Sequence, residues 1–251
     1  MRAAPFSAEA RAPKNPARGE YAMRIAGFQK LTLLDFPGKV ACTLFTPGCN
    51  FRCPFCHNAS LVLSPEDADE FSEEEILSFL KKRRGLLEGV AITGGEPLLQ
   101  PGIDGLIRKI RALGYAVKLD TNGSFPEKLS ALLEEGLLDY AAMDIKNSPE
   151  RYDLAAGVRT DMEKIRRSVS LLTGGKIPYE FRTTVVKGIH RREDFPGIGR
   201  LIEGAERYFI QSYVDSGDVI DPRFEAFTPE ELGGFLDAVR PFVASAALRG
   251  V

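Results

Sequence analysis

Three cysteines, Cys49, Cys53 and Cys56, fall within eight positions of the segment 47–58, PGCNFRCPFCHN, where Gly48, Pro54 and two phenylalanines disfavour a regular helix or strand. Thiolates are ligands for soft transition metals and iron–sulfur clusters, and a short loop punctuated by Gly and Pro lets three sulfur atoms converge on one point. A cubane of four irons and four sulfides needs four ligands. Three cysteines would leave one iron open, and an open coordination position is where a metal centre does chemistry.

Two other ligand chemistries suit the same loop. Residues 53–57, CPFCH, have the C-x-x-C-H form of a c-type haem attachment site, and Cys49, Cys53, Cys56 and His57 could furnish a zinc site of three thiolates and one imidazole. Haem would leave Cys49 unused and would require export. Zinc would ask the adjacent Cys56 and His57 to reach one tetrahedral ion, and would explain nothing else in the chain.

The elements that must position this loop are those of a mid-sized domain. At 251 residues, with 44% hydrophobic and 27% charged, the chain suits one large α/β unit with a sizeable core. A net charge of -2 gives no electrostatic footprint for nucleic acid or an anionic membrane, and neither partner is expected. Four cysteines, three of them crowded into one loop, do not make a disulfide framework, so the expected compartment is reducing and cytoplasmic. Cys42, in the apolar run VACTLFT, reads as a buried small hydrophobe. Residues 1–22, rich in Ala, Pro, Arg and Lys, contain no apolar h-region and no run able to span a bilayer. They are expected to form a flexible N-terminal extension ahead of one domain over 23–251.

From Met23 the pattern is regular. A short segment 31–38 ends in the turn Asp35-Phe36-Pro37-Gly38, and strands are expected at 40–46, 89–93, 115–119, 139–145, 179–186 and 207–213. Helices are expected at 73–84, 103–113, 126–135 and 161–173, around 193–204, and from Thr228 onward. Ser72 with Glu75, and Thr228 with Glu231, have the spacing of capping boxes. The basic run 81–84 reads as charge placed against a helix dipole, with partner docking as the alternative.

Six strands separated by helices imply right-handed crossovers and a parallel sheet, in which ligands collect at the C-terminal strand ends. The cysteines follow the first of these strands and Gly94-Gly95-Glu96-Pro97 the second. Asp120-Thr121-Asn122-Gly123 follows the third, Asp144 and Lys146 end the fourth, and Arg182 lies within the fifth. Five signatures on one rim point to one composite site.

The C-x3-C-x2-C spacing followed by Gly-Gly-Glu-Pro resembles the radical S-adenosylmethionine superfamily over about residues 23–215. The resemblance implies a partial (βα)6 barrel, similar to a TIM barrel but incomplete, with a [4Fe-4S] cluster on Cys49, Cys53 and Cys56 and S-adenosyl-L-methionine on its open iron. It also implies that Gly94, Gly95, Glu96 and Pro97 face the cofactor's methionyl group, Glu96 accepting from its ammonium. Phe55 could stack on adenine or merely plug a crevice, and His57 could line the cofactor or be structural.

Within the superfamily, the short chain and the run Gly27-Phe28-Gln29-Lys30-Leu31-Thr32-Leu33-Leu34-Asp35-Phe36-Pro37-Gly38 are similar to activators of glycyl-radical enzymes, most closely those of anaerobic ribonucleoside-triphosphate reductase. That implies an oxidoreductase working anaerobically, a glycyl-radical enzyme as partner and flavodoxin or ferredoxin as electron donor. It further implies that Asp120, Thr121, Asn122, Asp144 and Lys146 contribute to the cofactor pocket and a monovalent cation site, and that Arg182 contacts the cofactor. The strand 207–213 lacks the histidine expected of the formate-lyase type.

Plainer roles compete for several residues. Asp120 and Asn122 could make an Asx-type turn, Asp144 and Lys146 a structural ion pair, and His190 reads as a surface loop residue. The rival functions are a radical S-adenosylmethionine enzyme acting on a small molecule, of the carboxy-deazaguanine synthase kind, and a zinc-binding interaction module without chemistry.

Overall fold

Short apolar runs bounded by glycines pair in chain order. The computed structural model describes residues 23–250, so the expectation for residues 1–22 lies outside the described residues. The elements are β1 (Gly27–Thr32), β2 (Ala41–Thr46), α1 (Ala59–Leu63), α2 (Glu73–Lys82), β3 (Gly89–Gly94), α3 (Ile103–Ala112), β4 (Ala116–Thr121), α4 (Pro126–Glu134), β5 (Tyr140–Asp144), α5 (Tyr152–Ala156), α6 (Met162–Thr173), β6 (Tyr179–Val185), α7 (Phe195–Leu201), β7 (Tyr208–Ser212), α8 (Pro229–Val239) and β8 (Ala246–Arg249). The sheet runs β1 to β8 without permutation, and β2 to β8 are parallel. β1 and β8 stand at opposite edges, so the barrel is partial and open on one side.

All six expected parallel strands form, as β2 to β7, with ends within about two residues of expectation. The count of six falls short by the two edges. β1 pairs antiparallel with β2, Gly27 opposite Phe45, and β8 adds to β7, Gln211 opposite Arg249. β1 carries Gln29, Lys30 and Thr32, β8 is only four residues and ends in Arg249, and neither is buried on both faces as the central strands are. The helices α1 and α5, five residues each, are too short for a periodicity to declare them. Both capping boxes form, Ser72 with Glu75 and Thr228 with Glu231.

Strand alternation separates two environments. Outward-facing residues such as Cys42, Leu44, Ile92, Leu119, Met143 and Phe181 join the helices in the main core. The inner face is different. At one end Phe36 packs with Ala41 and Tyr140 in a separate apolar cluster, its ring so close to Gly89 that a Cβ there would lie 2.8 Å from it. Beyond this plug the lining turns polar: Lys118, Asp120, Asp144, Glu180 and Arg182 alternate with core residues on β4, β5 and β6. Arg249 of β8 reaches Glu180 at 2.8 and 3.1 Å, and the Tyr140 hydroxyl donates to Glu180 at 2.9 Å.

Candidate active site

The cysteine loop, following β2, is held from several sides. The Gly48 N–H donates to the Leu61 carbonyl (2.7 Å), and the Glu96 N–H to the Gly48 carbonyl (2.9 Å). Gly94 adopts φ +115°, and a Cβ on Gly95 would sit 1.9 Å from the Gly48 oxygen, so the Gly-Gly pair is required for this loop to lie directly on the cysteine loop. From the other side the Arg52 N–H donates to the Ala156 carbonyl (2.8 Å), with Gly157 at φ +68° and only 1.9 Å available between a Cβ and the Arg52 oxygen. A third fastening comes from residues 218–221. The Asp221 N–H bonds the Pro54 carbonyl (2.8 Å), and Asp218 accepts from the Ser60 hydroxyl (2.7 Å).

A cavity of about 350 Å³ opens at the C-terminal strand ends, bordered by Cys49, Cys53 and Cys56 on one side and Asp120, Asp144, Lys146 and Arg182 on the other. Phe55, His57, Gly94, Gly95, Thr121 and Asn122 also line it, so the fold gathers all but two of the expected site residues on one wall system. The exceptions are Glu96 and Pro97, both buried beneath the wall. Both Glu96 oxygens are engaged inside the protein, Oε1 by Leu98 N–H (3.0 Å) and the Thr121 hydroxyl (2.8 Å), Oε2 by Asn122 N–H (2.7 Å). Burial pushes its carboxyl up to about 7, against three hydrogen bonds that favour the carboxylate. Glu96 thus ties the Gly-Gly loop to the Asp-Thr-Asn-Gly turn, where the sequence expectation had it meet a ligand ammonium.

Of the two residues for which an Asx-type turn competed, Asn122 makes one, its Oδ1 accepting from Ser124 N–H at 2.9 Å, while the Asp120 oxygens meet Lys118 and Arg182 instead. The Asn122 Nδ2 points toward the cysteine loop, 3.0 Å from Asn50 Oδ1 and 3.8 Å from Cys49 Sγ. Asp144 and Lys146 form an ion pair (3.0 Å) while facing the cavity, so the structural and lining roles coexist. Arg182 bridges the two aspartates, Nη1 to Asp120 (3.1 Å) and Nε to Asp144 (3.0 Å). Burial would raise the Asp144 carboxyl, but Lys146 and Arg182 hold it well below the usual carboxylate range.

Among residues the sequence reading passed over, Lys118 is the most telling. It is 2% exposed, lies two positions before Asp120 on the same strand face, and its ammonium bonds Asp120. A charged residue inside a strand, spaced by two from a rim aspartate, was a signal available in the chain. His190 corrects an expectation: it is buried, not a surface loop residue. Its Nδ1 accepts from the Val186 N–H (3.2 Å), which leaves Nε2–H to donate to the Lys146 carbonyl (2.8 Å), and its ring meets Phe55 edge-on at 5.6 Å. Burial lowers its pKa to about 4. Gln211 lines the cavity on the strand where a histidine was missed, and Cys42 is fully buried as expected.

Among the described residues no three His, Cys, Asp or Glu side chains gather closely enough for one metal ion. The thiols instead border a cavity, which suits a larger group better than a single zinc. Burial raises Cys49 to about 11 and Cys53 to about 12, so ligation must displace protons from these thiols.

The sequence model of the Radical SAM superfamily matches residues 43–198, more than half of the chain, and the chain belongs to that superfamily. Its cofactors are accordingly a [4Fe-4S] cluster and S-adenosylmethionine. The chain is 31% identical over 209 residues to a protein of Methanocaldococcus jannaschii named a putative glycyl-radical enzyme activating enzyme, covering 80% of this chain and 84% of that one. It is 28% identical to a pyruvate formate-lyase-activating enzyme of Staphylococcus epidermidis (75% and 80% covered) and 27% identical to a 7-carboxy-7-deazaguanine synthase of Methanopyrus kandleri (57% and 66%). Streptococcus suis SuiB, solved with S-adenosylmethionine, shares the fold at a TM-score of 0.59 and 16% identity, over 83% of this chain and 52% of that one. No described helix is long and apolar enough to cross a membrane.

Proposed function

We propose that this protein is an activating enzyme that abstracts a hydrogen atom from the Cα of one glycine in a partner protein, leaving a stored glycyl radical. The observation that supports this most is the single cavity joining three cysteines to a charged rim, in a chain whose relatives include proteins named as glycyl-radical and pyruvate formate-lyase activators. Cys49, Cys53 and Cys56 would hold the cluster. The Gly94-Gly95 backbone and the Asp120, Asp144, Lys146 and Arg182 charges would receive the polar end of S-adenosylmethionine, while Phe55 and His57 border the remainder of the cavity. When bound and reduced, this pair supplies a 5′-deoxyadenosyl radical.

The chain's own contribution is seating and shielding. Glu96 holds two loops in register, His190 orients Phe55 and Lys146, and the Phe36 plug closes the far end of the barrel to water. β1 and β8 are the two edges of the sheet, and the side between them is the proposed approach for a polypeptide segment of the partner. The proposed partner is an anaerobic ribonucleoside-triphosphate reductase, with a flavodoxin or ferredoxin as donor. These two rest on the resemblance of residues 27–38 to reductase activators.

Anaerobic incubation of the reconstituted, reduced protein and S-adenosylmethionine with such a reductase tests the proposal by electron paramagnetic resonance. A doublet on the reductase that collapses when its glycines are deuterated at Cα supports it. The deazaguanine synthase relative favours a second reading, in which the substrate is a small heterocycle. Cofactor turnover without any radical on the reductase, but with conversion of a pterin or purine precursor, would favour that reading.

A further inference from the structure

We propose that this site works without a monovalent cation, because Lys118, Arg182 and Lys146 already occupy the carboxylate oxygens that such an ion would use. The proposal rests on the cofactor reading above. Resemblance to the formate-lyase activators implies a cation near Asp120 and Asp144, and the residues present do not fit one.

Each of the four carboxylate oxygens of Asp120 and Asp144 already accepts from a fixed cation. Asp120 Oδ1 meets the Lys118 ammonium and Oδ2 meets Arg182 Nη1 at 3.1 Å. Asp144 Oδ1 meets Arg182 Nε at 3.0 Å and Oδ2 meets Lys146 Nζ at 3.0 Å. The neighbouring Thr121 hydroxyl donates to Glu96 at 2.8 Å. Three fixed cations, Lys118, Lys146 and Arg182, thus stand with three carboxylates, Asp120, Asp144 and the cavity-bordering Asp35, so the charge is balanced without an ion. A potassium or sodium ion would make four against three, and would have to share every one of these carboxylate oxygens with an ammonium or guanidinium already bonded there.

Lys118 is the least able to yield. Its side chain is 2% exposed, inside the barrel, and losing its carboxylate would strand a buried charge. Its place beneath Asp120 is what a built-in cation requires: an ammonium delivered by the strand and unable to diffuse away. Lys146 and Arg182, which border the cavity, suit an anionic group entering it, such as the carboxylate of the cofactor's methionyl moiety. Lys118 is accordingly a positioning residue, acting through Asp120.

The test compares potassium, sodium and choline chlorides at equal ionic strength, reading S-adenosylmethionine affinity of the reconstituted protein by calorimetry and the melting midpoint of the cofactor-free chain. In the wild type both are expected to be indifferent to the cation, with affinity constant within about twofold. Lys118→Met should weaken binding and gain a dependence on potassium that choline cannot supply, while Lys118→Arg stays indifferent. Wild-type affinity about tenfold weaker in choline than in potassium would overturn the proposal while leaving the cofactor reading intact. Absence of binding in every salt would overturn that reading and this proposal with it. If Lys118→Met does not fold, the wild-type comparison still decides.

Discussion

Glu96 shows how a motif residue can serve a site without touching its cavity. Its three donors, Leu98 N–H, Asn122 N–H and the Thr121 hydroxyl, all point at oxygens, so Glu96→Gln sets an amide NH2 against at least one of them. The expected loss is about 1–3 kcal/mol of stability, measured by urea unfolding, together with weaker S-adenosylmethionine binding as the Asn122 turn loosens. Equal stability and binding in the variant would contradict this role. At this scale the sequence was legible in residue types and less so in contacts. The cysteines, both glycines, Asp120, Asn122, Asp144, Lys146 and Arg182 all reach the cavity border. Lys118 and His190 were missed because burial of a charged or polar side chain depends on partners far along the chain, Lys146 for His190.

At the scale of elements, the cysteine loop is a clamped segment whose clamps are glycine contacts. Gly157→Ala forces a Cβ to within 1.9 Å of the Arg52 oxygen at a positive φ, and backbone cannot step aside as a side chain would. The loop must shift or α5 must undock, at a cost of at least about 2 kcal/mol and with reduced iron incorporation on reconstitution. Gly136→Ala is the control. It has a similar φ of +64° but nothing within 4 Å, so only the backbone penalty of about 1 kcal/mol applies and iron loading stays normal. Equal effects at the two positions would show that the close approach is unimportant. The parallel strands were readable because strands covered on both sides are apolar throughout. α5 was not, since the five residues Tyr152–Ala156, capped by Gly157, carry no periodicity, and the closeness that demands Gly157 is a tertiary fact.

For the whole molecule, the interior of the barrel is the unusual feature: an apolar plug below, charge above. Phe36 is 2% exposed and anchors that plug, so Phe36→Ala should cost about 3–5 kcal/mol and let water into the barrel floor. Buried groups also set the pH response. His190, lowered to about 4 from 6.5, withdraws stability as pH falls through that interval, and His57, lowered by desolvation at the mouth, acts in the same sense. Glu96, raised to about 7 from 4.5, withdraws stability as pH rises through its own interval. The two trends oppose each other between pH 4.5 and 6.5. Glu96→Gln should therefore gain more stability from pH 4.5 to 6.5 than the wild type does, read from denaturant midpoints; a parallel pair of profiles would contradict this assignment.

The central claim, that three cysteines and a charged rim form one radical-generating site, is tested most directly by product formation. The protein is reconstituted anaerobically with iron and sulfide, reduced with dithionite in the presence of S-adenosylmethionine, and 5′-deoxyadenosine is followed by chromatography beside a Cys53→Ala control. The account predicts 5′-deoxyadenosine from the wild type and none above background from the variant. Equal yields from the two, or none from a wild type carrying one zinc per chain, would contradict it.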